Sequence, residues 1–297
     1  MEVTIDRKSG FCGGVIRAIG RAEETLASGV RLYSLGAIVH NERELSRLRE
    51  KGLGVINQDD LDSFGNADGA ALLIRAHGVP PQVYDTAEKL GFKVVDCTCP
   101  VVLQLQKKIR EAYARVKAME RPGSILIFGK VGHPEVLGLV GQVGGDALVF
   151  ENETQLNALI IEGKVNFGAD IELFSQTTMS PVGYGHIKTM LEAGMTGGAV
   201  LSVNDTICSQ VASRHSELSD FARRHDVVVF VSGNTSSNGK VLFELCRSVN
   251  PRTYKAGSAA DVDPSWFRPG DSVGVSGATS TPKWLLEEVA ELIHNLH

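Results

Sequence analysis

Short runs of apolar and β-branched residues, LLIRA, KVVD, ILIFG, DVVVFVSG and SVGVSG, recur along the chain. Between them lie longer stretches such as IRAIGRAEETLAS and VLQLQKKIREAYARVKA, whose apolar positions fall three and four apart. Runs of the first kind predict strands and stretches of the second predict amphipathic helices, so their alternation predicts βα units around parallel sheets. No Pro/Ser linker or low-complexity stretch divides the chain, so its lobes are expected to pack together.

The alternation repeats at a larger scale. Three segments share a strand, a turn of small or polar residues and a helix: LYSLGAIVHNERELSRLREKG, ILIFGKVGHPEVLGLVGQVGG and VVFVSGNTSSNGKVLFELCRSV. A second trio follows them in turn, each with a proline (Pro80, Pro181, Pro282) near the first turn of its helix, where proline is tolerated. A third trio carries cysteines, each expected to end a strand with Cys and start a helix directly: EVTIDRKSGFC runs into GGVIRAIGRAEETL, KVVDCTC into PVVLQLQKKIREAY, and LSVNDTIC into SQVASRHSELSDFA. The fold expected is therefore α/β, with three pseudo-threefold-related lobes, each holding a small mostly parallel sheet. The expected lobes are residues 13–99, 100–203, and 204–297 joined by 1–12. Cys12, Cys99 and Cys208 fall in equivalent places. Asp96-Cys97-Thr98-Cys99 matches Asp205-Thr206-Ile207-Cys208 as D-x-x-C, which makes Cys99 the counterpart and puts Cys97 where Thr206 stands; Asp6, six residues before Cys12, departs from this pattern.

Composition narrows what such a protein does. At 297 residues and 43% hydrophobic the chain is long enough for several proper cores and too balanced for disorder. A formal charge of −5, without aromatics interleaved with basic residues, argues against a nucleic-acid partner. No apolar run reaches the roughly 20 residues that span a bilayer, and MEVTIDRKSG lacks the apolar core of a signal peptide, so no membrane partner and a cytoplasmic location are expected. Five cysteines in such a chain point away from a disulfide framework and toward metal or redox chemistry.

Open α/β sheets bind ligands beyond the carboxyl ends of their strands. If three lobes meet around a common axis, Cys12, Cys99 and Cys208 converge, each with a helix N-terminus behind it that favours the thiolate. Soft thiolates select zinc or iron–sulfur clusters, and the C-x-x-C pairs of a closed zinc site are missing. A [4Fe–4S] cube held by three cysteines leaves one iron open; three unrelated buried cysteines are the alternative. The strand-to-helix turns hold His40, Asn41, His77, His133, Thr177, the run Ser236-Ser237-Asn238, and Ser280. With backbone N–H groups at helix starts, these donors suit a phosphate or diphosphate, while the Gly-rich nucleotide signatures are absent. His186, His215, His225, His294 and His297 lie in expected helices or the tail and read as surface or structural. Glu135 is the one carboxylate directly inside these turns. Desolvation there would raise its pKa and suit it to deliver protons, whereas a plain helix-N-terminal Glu would serve the dipole.

GFCGGV, IVHN, AHGVPP, D-x-TCP-x-V, GHPEV, SQTT, ICSQ, SSN and ATSTP occur in the order found in the LytB/IspH family of 4-hydroxy-3-methylbut-2-enyl diphosphate reductases, which the chain resembles over nearly its whole length. The resemblance implies three α/β lobes around a central [4Fe–4S] cluster, one per chain, with Cys12, Cys99 and Cys208 as its three ligands. It implies that His40, His77, His133, Ser236, Ser237, Asn238 and Ser280 hold the allylic diphosphate substrate. Thr177 would contact the substrate hydroxyl region and Glu135 would be the proton source. The implied reaction is reductive dehydroxylation, by two electrons and two protons, to isopentenyl and dimethylallyl diphosphates. Electrons would come from a ferredoxin or flavodoxin.

Two positions depart from that family: Cys97 stands where a small residue is expected, and Lys130 precedes the GHPE turn. No RNA-binding domain is expected after the third lobe. An aconitase-like hydro-lyase would use the same three-cysteine open site without net electron transfer. A non-enzymatic diphosphate-binding module would contain no iron.

Overall fold

The protein is described here by a computed structural model covering residues 1–296; the side chain of Ser237 and all of His297 lie outside the described residues. Twelve strands alternate with ten α-helices among the described residues. In chain order these are β1 (Glu2–Ile5), α1 (Gly13–Ala27), β2 (Leu32–Leu35), α2 (Glu42–Glu50), β3 (Gly54–Ile56), β4 (Ala71–Ile74), α3 (Pro81–Lys89), β5 (Lys93–Asp96) and α4 (Pro100–Lys117). There follow β6 (Ser124–Phe128), α5 (Pro134–Gly141), β7 (Leu148–Phe150), α6 (Glu153–Ile161), β8 (Ile171–Ser175), α7 (Pro181–Gly194) and β9 (Leu201–Val203). The last elements are α8 (Ser209–Arg223), β10 (Val227–Val231), α9 (Ser237–Val249), β11 (Thr253–Ala256), β12 (Ser272–Gly277) and α10 (Lys283–His294).

The strands fall into three small sheets, as the internal repeats predicted, and each has four strands. By contact density the chain divides into two compact units, residues 1–58 with 209 onward, and residues 59–208. The first unit contains the sheet β1-β12-β10-β11, all parallel, and the parallel pair β2·β3. The second contains the parallel sheet β7-β6-β8-β9 and the parallel pair β4·β5.

The all-apolar strand VVVFV shows why these runs are continuous rather than alternating. Val227, Val229 and Val231 of β10 pack with Leu285, Leu286, Val289 and Ile293 of α10. Val228 and Phe230 face the other way, onto Leu218 and Ala222 of α8 and Leu242 of α9. A parallel strand covered on both faces must be apolar at every position. In the second unit Ile125 and Ile127 of β6 pack on α4 and α5, while Leu126 and Phe128 pack with residues of α6 and α7. Each such fully buried side chain stabilises its sheet by about 1.5–3 kcal/mol. Parallel pairing also aligns the carboxyl ends of the strands within each sheet, so the polar turns that follow them gather at one edge.

Helix starts follow the sequence. Asn41, His133, Ser180 and Ser236 cap α2, α5, α7 and α9 with their side chains, accepting N–H groups that the first helical turn leaves unpaired. Cys12 and Cys99 occupy the same position ahead of α1 and α4 but make no side-chain cap bond. Their thiols are thus not consumed in holding the helix. One expectation is corrected here: the cysteines do not end strands, since a connection intervenes in each case, residues 6–11, 97–98 and 204–207. His225 likewise lies beyond the last residue of α8 rather than within a helix.

Candidate active site

The three cysteine segments are held by one recurring backbone contact. The N–H of Cys12 donates to the carbonyl of Thr279 (3.2 Å), that of Cys99 to Ala76 (3.0 Å) and that of Cys208 to Thr177 (2.9 Å). Each acceptor sits in the polar turn of the second trio, ATSTP, RAHGVPP or SQTT. All three thiols are partly exposed, whereas Cys97 and Cys246 are fully buried. Cys246 packs among Leu218, Ala222 and Phe230, and burial pushes its thiol up to about 12, so it stays neutral and acts as a small hydrophobe.

The strand ladders give a second alignment and correct one detail. Ile5 pairs with Val275, Asp96 with Ile74, and Val203 with Leu173. The next residue in each case donates its N–H to that partner's carbonyl: Asp6 at 2.8 Å, Cys97 at 2.8 Å and Asn204 at 2.9 Å. Counted from the strand, Cys97 is the counterpart of Asn204 and Asp6, not of Thr206. Thr206 instead bridges Ser175, accepting its N–H and donating to its carbonyl, both at 2.8 Å. The D-x-x-C match aligned residues from the cysteine backwards and could not register the different lengths of the connections.

In the first unit the predicted residues form one connected set around Cys12. Thr279, whose carbonyl receives the Cys12 N–H, donates its own N–H (3.2 Å) and hydroxyl (3.0 Å) to Oδ1 of Asn238. Two donors on Oδ1 fix the amide orientation and leave Nδ2 as a buried donor with no partner among the described residues. The hydroxyls of Ser236 and Ser280 lie 3.0 Å apart, and Ser236 also accepts the N–H of Gly239 at the start of α9. The turn bearing His40 joins the set through Gly233: a Cβ there would lie 2.5 Å from the carbonyl oxygen of His40 and 3.1 Å from Cα of Asn41. Only glycine allows that approach. Asn41 turns inward to cap α2. The hydroxyl of Ser237, expected among these donors, lies outside the described residues.

In the second unit the set centres on a buried acid. Glu135, 1% exposed, accepts the N–H of Thr177 on Oε1 (2.7 Å) and its hydroxyl on Oε2 (2.8 Å). Burial raises the pKa of Glu135 to about 7, against the opposing effect of the two Thr177 donors. Glu135 does stand in the first turn of α5, as the helix-start reading had it, but there it is buried and bonded to Thr177. Glu135 in turn donates its N–H to Nδ1 of His133 (3.2 Å), so a neutral His133 carries its proton on Nε2. The rings of His133 and His77 meet edge to face with centroids 5.2 Å apart. His77 stands beside Gly78, whose φ of +69° favours glycine. Thr177, finally, is the residue whose carbonyl holds Cys208.

Several contributors carried no sequence signal of their own. Thr279 was visible only as part of ATSTP. Gln106 on α4 is buried with Nε2 unpartnered among the described residues, 2.5 Å from where a Cβ on Gly78 would stand. Gln176 donates to the Thr178 hydroxyl and accepts the N–H of Lys130, so the backbone of that variant position is tied to the SQTT turn. An open groove of about 900 Å³ in the first unit, lined by Ile5, Arg7, Lys8, Phe221, Arg223 and Arg224 among others, contains none of the predicted site residues.

A family model described as LytB protein matches residues 3–294. A relative from Bacteroides fragilis, a 4-hydroxy-3-methylbut-2-enyl diphosphate reductase, is 46% identical over 293 residues, covering 99% of this chain and 97% of its own. One of the same name from Porphyromonas gingivalis is 45% identical over 298 residues, covering 100% and 99%. A solved structure of (E)-4-hydroxy-3-methyl-but-2-enyl diphosphate reductase, described as the terminal enzyme of the non-mevalonate pathway, aligns with a TM-score of 0.70 at 28% identity over 99% of both chains. The E-1-hydroxy-2-methyl-but-2-enyl-4-diphosphate reductase from Plasmodium falciparum shares the fold, with a TM-score of 0.85 at 24% identity over 99% of this chain and 88% of its own.

Proposed function

The chain belongs to the LytB protein family, and from that premise we propose that it is an iron–sulfur oxidoreductase that reductively removes the allylic hydroxyl of 4-hydroxy-3-methylbut-2-enyl diphosphate. The products are isopentenyl and dimethylallyl diphosphates, formed in the non-mevalonate route, with a ferredoxin or flavodoxin as electron donor. The chain is read as lobes 13–99, 100–203 and 204–297 plus 1–12, because β2–β5, β6–β9 and β10–β12 with β1 fall within those bounds.

The donor set fits an open-site [4Fe–4S] cluster. Cys12, Cys99 and Cys208 offer three partly exposed cysteines directly before helices, Cys12 and Cys99 making no side-chain cap bond, and a side chain at Gly13 beside Cys12 would meet nothing within 4 Å. These three residues would hold the cluster; when bound there it supplies electrons and a Lewis-acidic iron. Cys97 is packed away from solvent and is left out of the set.

The remaining residues bind and move protons. Nδ2 of Asn238 and the hydroxyls of Ser236, Ser237 and Ser280 donate to the diphosphate, together with N–H groups at the start of α9. His40, His77 and His133 add imidazole donors, with the Nε2 proton of His133 set by its Nδ1 contact. Glu135, half protonated near neutrality, is the acid. As a carboxylate it accepts the Thr177 hydroxyl; once protonated on Oε2 it donates to Thr177 Oγ1 instead, which frees the threonine hydrogen for the substrate oxygen. The Thr177 N–H on Oε1 holds the carboxyl in place through this reversal.

The observation that carries this reading is the triple recurrence of a cysteine N–H bonded into a polar turn, with the buried Glu135–Thr177 pair attached to one of those turns. It is tested by anaerobic purification, iron and sulfide analysis, and turnover with a reduced dye. About four irons per chain and reductant-dependent loss of the hydroxyl are expected. A reaction that proceeds without reductant would favour a hydro-lyase, and a protein without iron would favour a binding module.

A further inference from the structure

The three cysteines are approached by connections of different length, and the structure anchors the longest one in an unusual way. Residues 6–11 lead from β1 to Cys12, residues 204–207 from β9 to Cys208, and residues 97–98 from β5 to Cys99. The residue that opens each connection is Asp6, Asn204 or Cys97. Cys97 is a fully buried thiol, and its two-residue connection is closed by Thr98, whose N–H and hydroxyl both bond to Asp96. Asn204 donates its amide to Glu172 (2.8 Å), which is ion-paired with the half-exposed Arg115. Asp6 forms a buried ion pair with Arg214 of α8, 208 residues away in sequence, with side chains 7% and 4% exposed.

Ser276 of β12 closes that pair into a triangle, accepting from Arg214 Nη2 at 2.7 Å and donating to Asp6 Oδ2 at 3.0 Å. The rest of Asp6 organises the connection: Oδ1 accepts the N–H of Lys8 (3.0 Å), and the backbone carbonyl accepts the N–H (3.0 Å) and hydroxyl (2.6 Å) of Ser9. Beyond Ser9 comes Gly10, with φ +111°, then Phe11 and Cys12. A buried ion pair is a poor source of stability compared with apolar packing, and Arg214 keeps a buried Nη1 without a partner among the described residues, which makes it poorer still. Such a pair is better explained by the register it imposes.

We propose that Asp6 and Arg214 are positioning residues for Cys12. They remove freedom from the longest approach so that this thiol is presented in a fixed place for the metal group. The inference rests on the reading of Cys12 as a cluster ligand, and its test separates the two.

The experiment compares full-length parent with Asp6→Ala and the double variant Asp6→Ala/Arg214→Met. Three quantities are read: melting temperature of the apo-protein, alkylation rates of Cys12 and Cys208 in the apo-protein by iodoacetamide and peptide mapping, and iron loss from reconstituted protein to a chelator. Asp6→Ala strands a buried cation and should melt lowest, and the double variant should recover most of the melting temperature because no charge is left buried. The double variant should nevertheless alkylate several-fold faster at Cys12 than the parent, without change at Cys208, and lose iron about tenfold faster, because the local segment opens more readily. Parental rates at Cys12 and for iron loss in a stably folded double variant would overturn the proposal and leave the pair a structural feature. If the double variant does not fold, Asp6→Asn, which keeps the size and an acceptor, is read in the same way. A parent that takes up no iron would defeat the cluster reading, while the Cys12 alkylation comparison would still decide the positioning.

Discussion

The turns around Asn238 and those around Glu135 solve opposite problems with similar residues. In the first unit, Thr279 places two donors on Asn238 Oδ1, and the result is a buried N–H donor left over. In the second, Thr177 places one donor on each oxygen of the Glu135 carboxyl, and the result is an acid held in place whose pKa is nonetheless raised to about 7 by burial. The first arrangement presents a fixed neutral donor that suits an anion at any ordinary pH. The second stores a proton that is exchangeable near neutrality. A threonine that donates from both backbone and side chain locks orientation in each case; an amide or a carboxyl in the lock decides whether the turn binds or titrates.

This contrast predicts a separation of KM from kcat. The largest effect is expected for Glu135→Gln, which should lower kcat by about 10²- to 10⁴-fold while leaving KM and iron content near parental values. Steady-state kinetics with a reduced dye measures it, and an equal loss in KM would erase the distinction between the two regions. Asn238→Asp replaces the spare donor with a carboxylate facing an anion and should raise KM roughly 10- to 100-fold with little change in kcat, the range expected for a hydrogen bond to a charged group. The pH profile sharpens the point. With Glu135 as the proposed acid, competent when protonated, and its pKa raised to about 7, kcat should fall as pH rises above that value, by up to about tenfold per unit. Asn238→Asp should keep this descending limb and Glu135→Gln should lose it. Ser280→Ala removes one hydroxyl of the neutral cluster and should raise KM about three- to tenfold, in line with one ordinary hydrogen bond. The smallest effect belongs to Cys97→Ala: iron content should stay unchanged, with about 1 kcal/mol lost in stability for a buried sulfur. Loss of iron in that variant would move Cys97 into the ligand set.

Periodicity made the sheets legible because parallel strands buried on both faces have no choice but to be apolar, as VVVFV shows. Internal repetition made Cys12, Cys99 and Cys208 legible as a set, since each precedes a helix and follows a strand. It misplaced Cys97 relative to Thr206 because connections of unequal length leave no trace in a motif counted from the cysteine. Glu135 could be named from the GHPE turn, but its partnership with Thr177, 42 residues on, depends on how β6 and β8 pair. Gly233 could be read as a turn residue only, because the backbone it admits belongs to a distant segment. The Asp6–Arg214 pair was beyond reach for the same reason. Neither residue stands in a recognisable motif, and their contact joins the end of β1 to α8 beside Ser276 of β12, the strand that β1 pairs with.

The central claim is that three equivalent cysteines hold a redox-active iron–sulfur group used on an allylic diphosphate. Its most direct test is iron and sulfide content of anaerobically purified parent set beside Cys12→Ser, Cys99→Ser and Cys208→Ser, with single-turnover reduction of 4-hydroxy-3-methylbut-2-enyl diphosphate by the reduced protein. The account predicts about four irons and four sulfides per parent chain, conversion to the two dehydroxylated diphosphates, and loss of both in each serine variant. A parent that contains no sulfide, or serine variants that keep full iron and turnover, would contradict it.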